Sequence, residues 1–163
     1  MPYVRQGASS MKWFKLVGAT EEPIKEDWEH KEPQLFSKLQ FPWNKRPRDF
    51  SNGEPIIVYA VGDRVLIATQ TVEGPPKLAE RRGSVGSPEH RWPHSIPVVT
   101  HYYCSPLKSA PKLREVAPDF AKRYAGKFRE GSHWRIDDAE YAELAAAIEE
   151  EGRPFRPGAN PKS

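Results

Sequence analysis

Two short segments of this sequence carry side chains able to hold a planar, charged ligand. Phe41-Pro42-Trp43-Asn44-Lys45-Arg46-Pro47-Arg48 and His90-Arg91-Trp92-Pro93-His94 each set a tryptophan among cations and prolines, outside any amphipathic period. An indole in a loop can take the face of a nucleobase, a contact worth roughly 1–3 kcal/mol per base. The carboxamide of Asn44 presents a donor and an acceptor to a base edge, and Thr20 presents a hydroxyl. The expected base site is therefore Trp43 as stacking face, Trp92 as second wall, and Asn44 or Thr20 on the edge. Lys45, Arg46, Arg48, Arg81, Arg82 and Arg91 are the candidates for phosphate, and Arg81-Arg82 stands in a Gly/Ser-rich stretch.

Other chemistries find less support. His90 and His94 are four apart, a spacing that suits two metal ligands on a helix, but Pro93 stands between them and no carboxylate motif completes a site. No metal and no cofactor is expected. The single cysteine, Cys104, excludes a Cys-x-x-Cys zinc site and an intrachain disulfide, and reads as a small buried hydrophobe. Neither a Walker A loop nor a Gly-x-Ser-x-Gly elbow is present.

The charge is unevenly distributed. Residues 1–74 are neutral, residues 75–135 carry net +7, and residues 136–163 carry net −4. The basic middle segment suits a polyanion, or simply a solvated face. A mean hydropathy of −0.75 describes a soluble chain. No apolar run approaches the roughly 18 residues of a membrane helix. Met1 to Gly7 lacks a secretory h-region, so the expected compartment is the cytosol.

The elements that must position these residues are short. Residues 12–17, 56–59, 64–72 and 96–103 read as strands of one bent sheet, with a Gly62-Asp63 turn before the third. Residues 21–40 place Trp28, Leu35, Phe36 and Leu39 at helix-compatible spacing, interrupted by Pro23 and Pro33. Residues 41–54 and 77–94 read as loops. Residues 109–129 predict short helices broken at Pro111 and Pro118, with Leu113, Val116, Phe120 and Tyr124 as their apolar face. The clearest element is a helix over 138–151, where Asp137 and Glu140 form a capping box and Tyr141, Leu144, Ala145 and Ile148 make one stripe. The expected organisation is a flexible lead over 1–10, one domain over 11–151 and a disordered tail over 152–163. The fold class is α+β, a compact and strongly bent β-barrel with flanking helices and a capped C-terminal helix.

In this order the features resemble the EVE domain of the PUA-like superfamily, which includes the ASCH and YTH domains. Lys12-Trp13-Phe14-Lys15-Leu16-Val17 is similar to the family's opening strand. Trp43-Asn44-Lys45-Arg46 resembles its tryptophan-led loop. Val61-Gly62-Asp63-Arg64-Val65-Leu66 resembles the Gly-Asp strand entry. Ser132-His133-Trp134-Arg135-Ile136-Asp137, with Tyr141 and Leu144, resembles the closing strand and helix. Gly18-Ala19-Thr20-Glu21 departs from the family's Lys-Ser-Glu-Pro run, so contacts of that lysine and serine do not transfer. The resemblance implies a module that recognises a modified base, flipped or unpaired, in DNA or RNA without catalysis, and a monomer is expected. Two alternatives stand beside it. One is an ASCH-type ribonuclease using Tyr59, Tyr102 and Tyr103 with Lys77 or Arg91. The other is a protein-interaction module built on the loop tryptophans.

Overall fold

The computed structural model describes residues 11–79 and 91–157. Its centre is a strongly curled mixed sheet, a half-barrel of six strands with a few helices around it, so the fold is α+β. The long strands are β1 (Lys12–Val17), β2 (Lys38–Phe41), β3 (Pro55–Ala60), β4 (Val65–Val72), β6 (His94–Tyr103) and β7 (His133–Ile136), in the order β2-β6-β4-β3-β1-β7. Two short strands, β5 (Lys77–Leu78) and β8 (Arg153–Pro154), also pair with β6. Strands β1 and β3 are parallel, and the other pairs are antiparallel.

The four expected strands are present within one or two residues of their predicted bounds. Strand β2 is the main departure. Leu39 lies on a strand rather than on a helical face, because Lys38–Phe41 pairs with the first residues of β6, about fifty-five residues further along the chain. What precedes it is one helical turn, α1 (Trp28–Lys31), and a 3₁₀ turn at Pro33–Phe36. Trp28 is fully buried, and its indole N–H donates to the Cys104 carbonyl at 2.9 Å.

In the β3–β4 turn the left-handed conformation falls two residues after the glycine. The left-handed residue is Arg64, at φ 59°, not Gly62. Glycine is needed at 62 because a Cβ there would sit 2.6 Å from the Pro23 side chain. An irregular register between Thr69 and Gln70 in the β4–β6 pair helps bend the sheet, and Thr69 Oγ1 accepts from the Tyr102 amide there at 3.2 Å.

The two faces of β1 follow from its period of two. Phe14 faces an aromatic cluster with Tyr59, Phe120, Phe128 and Trp134, roofed by α2 (Leu113–Val116) and α3 (Pro118–Arg123). Trp13 and Lys15 project to the other face, where Phe41, Phe50 and His133 gather. The long helix α4 (Asp138–Glu151) buries Leu144, Ala145 and Ile148, with Tyr141 half-buried beside them. Both halves of its capping box form: Glu140 N–H donates to Asp137 Oδ1 at 2.7 Å, and Asp137 N–H donates to Glu140 Oε1 at 3.0 Å. Asp137→Ala is expected to cost about 1 kcal/mol, read as a lowered thermal midpoint. An unchanged midpoint would mean the box contributes nothing.

Residues 152–157, the start of the expected tail, continue the fold. Arg153–Pro154 pairs with Tyr102 and Tyr103, and Phe155 stacks on Phe36 at 4.5 Å. The expected lead over 1–10 and residues 158–163 lie outside the described residues.

Candidate nucleic-acid interface

The predicted site residues fall into separate hollows. The largest is an open groove of about 940 Å³ lined by Trp43, Asn44, Lys45, Arg46, Arg48 and Lys77, with Leu78, His94 and two prolines. Among the described residues no carboxylate lines it. Strand β2 ends at Phe41, and Pro42 turns the chain outward, so Trp43 stands 53% exposed. Its ring lies over His94 at 5.3 Å and 22°, while His94 Nε2 meets the Trp43 carbonyl at 3.2 Å. Pro93 and His94, read from sequence as part of a loop, instead lead into and begin β6, which holds that imidazole in place. Lys45 bonds Ser132 Oγ at 2.8 Å. Lys45, Arg46, Arg48 and Lys77 form no salt bridge among the described residues.

Trp92 is not in that groove. It borders a neighbouring cleft of about 300 Å³, together with Lys15, Gly18, Glu22, Gln40 and Arg91. Gly18, at φ 80°, ends β1 and turns the chain into a tight Ala19–Glu22 loop at the cleft's rim. Pro42 and Trp92 close together over Gly131: a Cβ on Gly131 would lie 2.4 Å from Pro42 Cγ and 2.9 Å from Trp92 Cζ3. The Gly131 carbonyl in turn accepts from Lys15 Nζ at 3.3 Å. Arg91 is drawn to carboxylates, Glu22 at 3.2 Å and Glu130 at 3.6 Å, and so is already partly neutralised. Asp49, a further potential repeller of phosphate, lies 3.8 Å from Arg135.

Thr20 joins neither tryptophan. It is exposed and borders a third hollow of about 290 Å³ with Tyr59, Gly62, Arg64 and Arg114. Arg81, Arg82 and His90 lie outside the described residues. The tyrosines of the ribonuclease alternative are dispersed. Tyr59 is buried beside the third hollow, and Tyr103 donates to Glu29 Oε2 at 2.7 Å, a bond that adds to burial in pushing its pKa up to about 12. Lys77 and Arg91 belong to different hollows. Among the described residues no group of three or more His, Cys, Asp or Glu is arranged to hold a metal ion.

Lys15 was not among the predicted site residues. It is 1% exposed, its ammonium 4.3 Å from the Phe41 ring centroid, and burial with the nearby Lys45 charge pulls its pKa down to about 7. His133 pairs with it across β1 and β7. Burial, then the Lys15 and Lys45 charges, lower that imidazole to about 4, and its Nδ1 has no hydrogen-bond partner among the described residues. The available signal was the spacing of Lys15 two residues after a core tryptophan on one strand, which points both side chains to the same face.

No protein-family model matches the chain, and neither does any curated protein.

Proposed function

We propose that this protein is a nucleic-acid-binding module that tracks a strand along the Trp43 groove and takes one flipped or unpaired base, a modified one, into the adjoining Trp92 cleft. The observation that carries this reading is the composition of the groove: an exposed indole stacked on an imidazole, with, among the described residues, four cations and no carboxylate. Phosphates release counterions on meeting such cations, and bases stack on such rings without regard to sequence. Asn44 beside Trp43 adds an edge contact. The cleft is small, bounded by an aromatic ring, and lies just across Pro42 from the groove. A volume of this order suits a single small planar group.

The test is fluorescence anisotropy with single-stranded and modified-base duplex oligonucleotides across a salt series. Trp43→Ala is expected to weaken binding by about 1–3 kcal/mol. The circular dichroism melt should be unchanged, since the ring is more than half exposed. Arg46→Ala with Arg48→Ala should weaken all sequences alike and flatten the salt slope by about one unit per lost phosphate contact. A gel run alongside separates retention from cleavage. Unchanged affinity in Trp43→Ala together with an unchanged salt slope in the double variant would end the reading.

A further inference from the structure

The cleft beside Trp92 has a chemical bias of its own. Lys15 on its inner wall is donor-only when protonated, and among the described residues its one hydrogen bond is the 3.3 Å contact to the Gly131 carbonyl. When protonated, this buried amine has, among the described residues, the Gly131 carbonyl and the face of Phe41 at 4.3 Å to offset its charge, and a ligand oxygen would relieve the remaining cost. Gln40, on the same cleft, donates through Nε2 to the Trp92 carbonyl at 3.4 Å. That contact orients its amide and leaves the side-chain carbonyl oxygen as the acceptor of the pair. Among the described residues the remaining charges around the cleft are Glu22 and Arg91, paired at 3.2 Å, and Lys25 and Glu32 at the rim. Glu32 is itself engaged by the Lys25 backbone amide at 2.7 Å.

We infer that the cleft selects a base by a keto–imino edge, a carbonyl oxygen accepting from Lys15 beside a ring N–H donating to Gln40. Thymine-, uracil- and guanine-type rings carry that edge. Adenine lacks the carbonyl, and neutral cytosine lacks the ring N–H. This rests on the nucleic-acid reading above and adds the class of base the cleft accepts. Mismatched edges are rejected because they leave buried polar groups unpaired.

The full chain is titrated by anisotropy with labelled oligo(dT), oligo(U), oligo(dA) and oligo(dC) at low salt and pH 6, where Lys15 holds its proton. The expected result is about tenfold or more tighter binding of oligo(dT) and oligo(U) than of oligo(dA) and oligo(dC). Lys15→Met should abolish the difference by weakening the first pair. Gln40→Leu, a change at a half-buried position, should do the same and serves if Lys15→Met fails to fold by circular dichroism. Equal binding of all four polymers, or a preference that survives in a folded variant, overturns the keto–imino assignment and leaves the groove reading standing. Failure of every polymer to bind overturns both.

Discussion

Trp13→Ala is expected to lower the unfolding free energy by about 3–5 kcal/mol, the range for deleting a large buried aromatic. The ring is 4% exposed and stacks on Phe50 at 4.2 Å and 18°. It also anchors a buried polar group: its N–H donates to Glu54 Oε1 at 2.9 Å, and Glu54 is 2% exposed. The same oxygen accepts from the Ser51 amide at 2.8 Å, so truncation removes one of its two donors. A buried acceptor that loses a partner adds roughly 1–3 kcal/mol. Against a total stability of about 5–15 kcal/mol, this single change brings the domain close to unfolding at ambient temperature. Urea denaturation followed by circular dichroism measures the loss. Trp13→Phe separates the two contributions, because it keeps most of the packing and deletes only the N–H. A Trp13→Ala protein as stable as the parent, or one less affected than Trp43→Ala, would contradict the division of the tryptophans into core and surface.

The second large effect concerns Lys15 and pH. In the folded chain its pKa is about 7, against an ordinary 10.5, through burial first and the Lys45 charge second. Between these values the unfolded chain holds a proton that the folded chain does not. Stability therefore rises with pH across the window, by up to about 1.4 kcal/mol per unit from this group, and is flat below about 7, where both states are protonated. Above pH 9 an opposing trend begins. Burial raises Cys104 from 9.0 and Tyr103 and Tyr124 from 10.0, each to about 12, so there the unfolded chain loses protons first and stability falls. The clean interval is pH 7 to 9. Lys15→Met removes the titrating group and replaces a buried charge by an apolar side chain of similar length. That exchange is neutral to stabilising at low pH. The variant should be the more stable protein at pH 6, and the difference should shrink steadily towards pH 9. Urea midpoints at half-unit intervals give the two curves. Parallel curves would mean that Lys15 keeps its ordinary proton affinity in the fold.

Local patterns determined the elements of this protein. The capping box at Asp137 and Glu140, the apolar stripe ending at Ile148 and the β-branched runs around Val58 and Ile67 are signals complete within a few residues, and the structure places helix and strands there. The exposure of Trp43 was legible in the same way, since a tryptophan held between Pro42 and a run of polar and basic residues has no periodic face to join. What tertiary structure decided is everything that depends on a distant partner. Leu39 fits a helical spacing with Leu35 and Phe36, and only the β6 edge made Lys38–Phe41 a strand. Phe155 looked like part of a tail until Phe36 supplied a ring to stack on. Lys15 is an ordinary strand lysine until β2 and β7 close over it with Phe41, His133 and Gly131. The two loop tryptophans read alike in sequence. The β2–β6 pairing, with Pro42 and Trp92 both set against Gly131, put one in an open cationic groove and the other beside a cleft with a buried amine. Backbone propensity is a property of neighbours in the chain. The burial of a charge, and the side of a sheet edge on which a ring falls, depend on register between segments far apart in sequence.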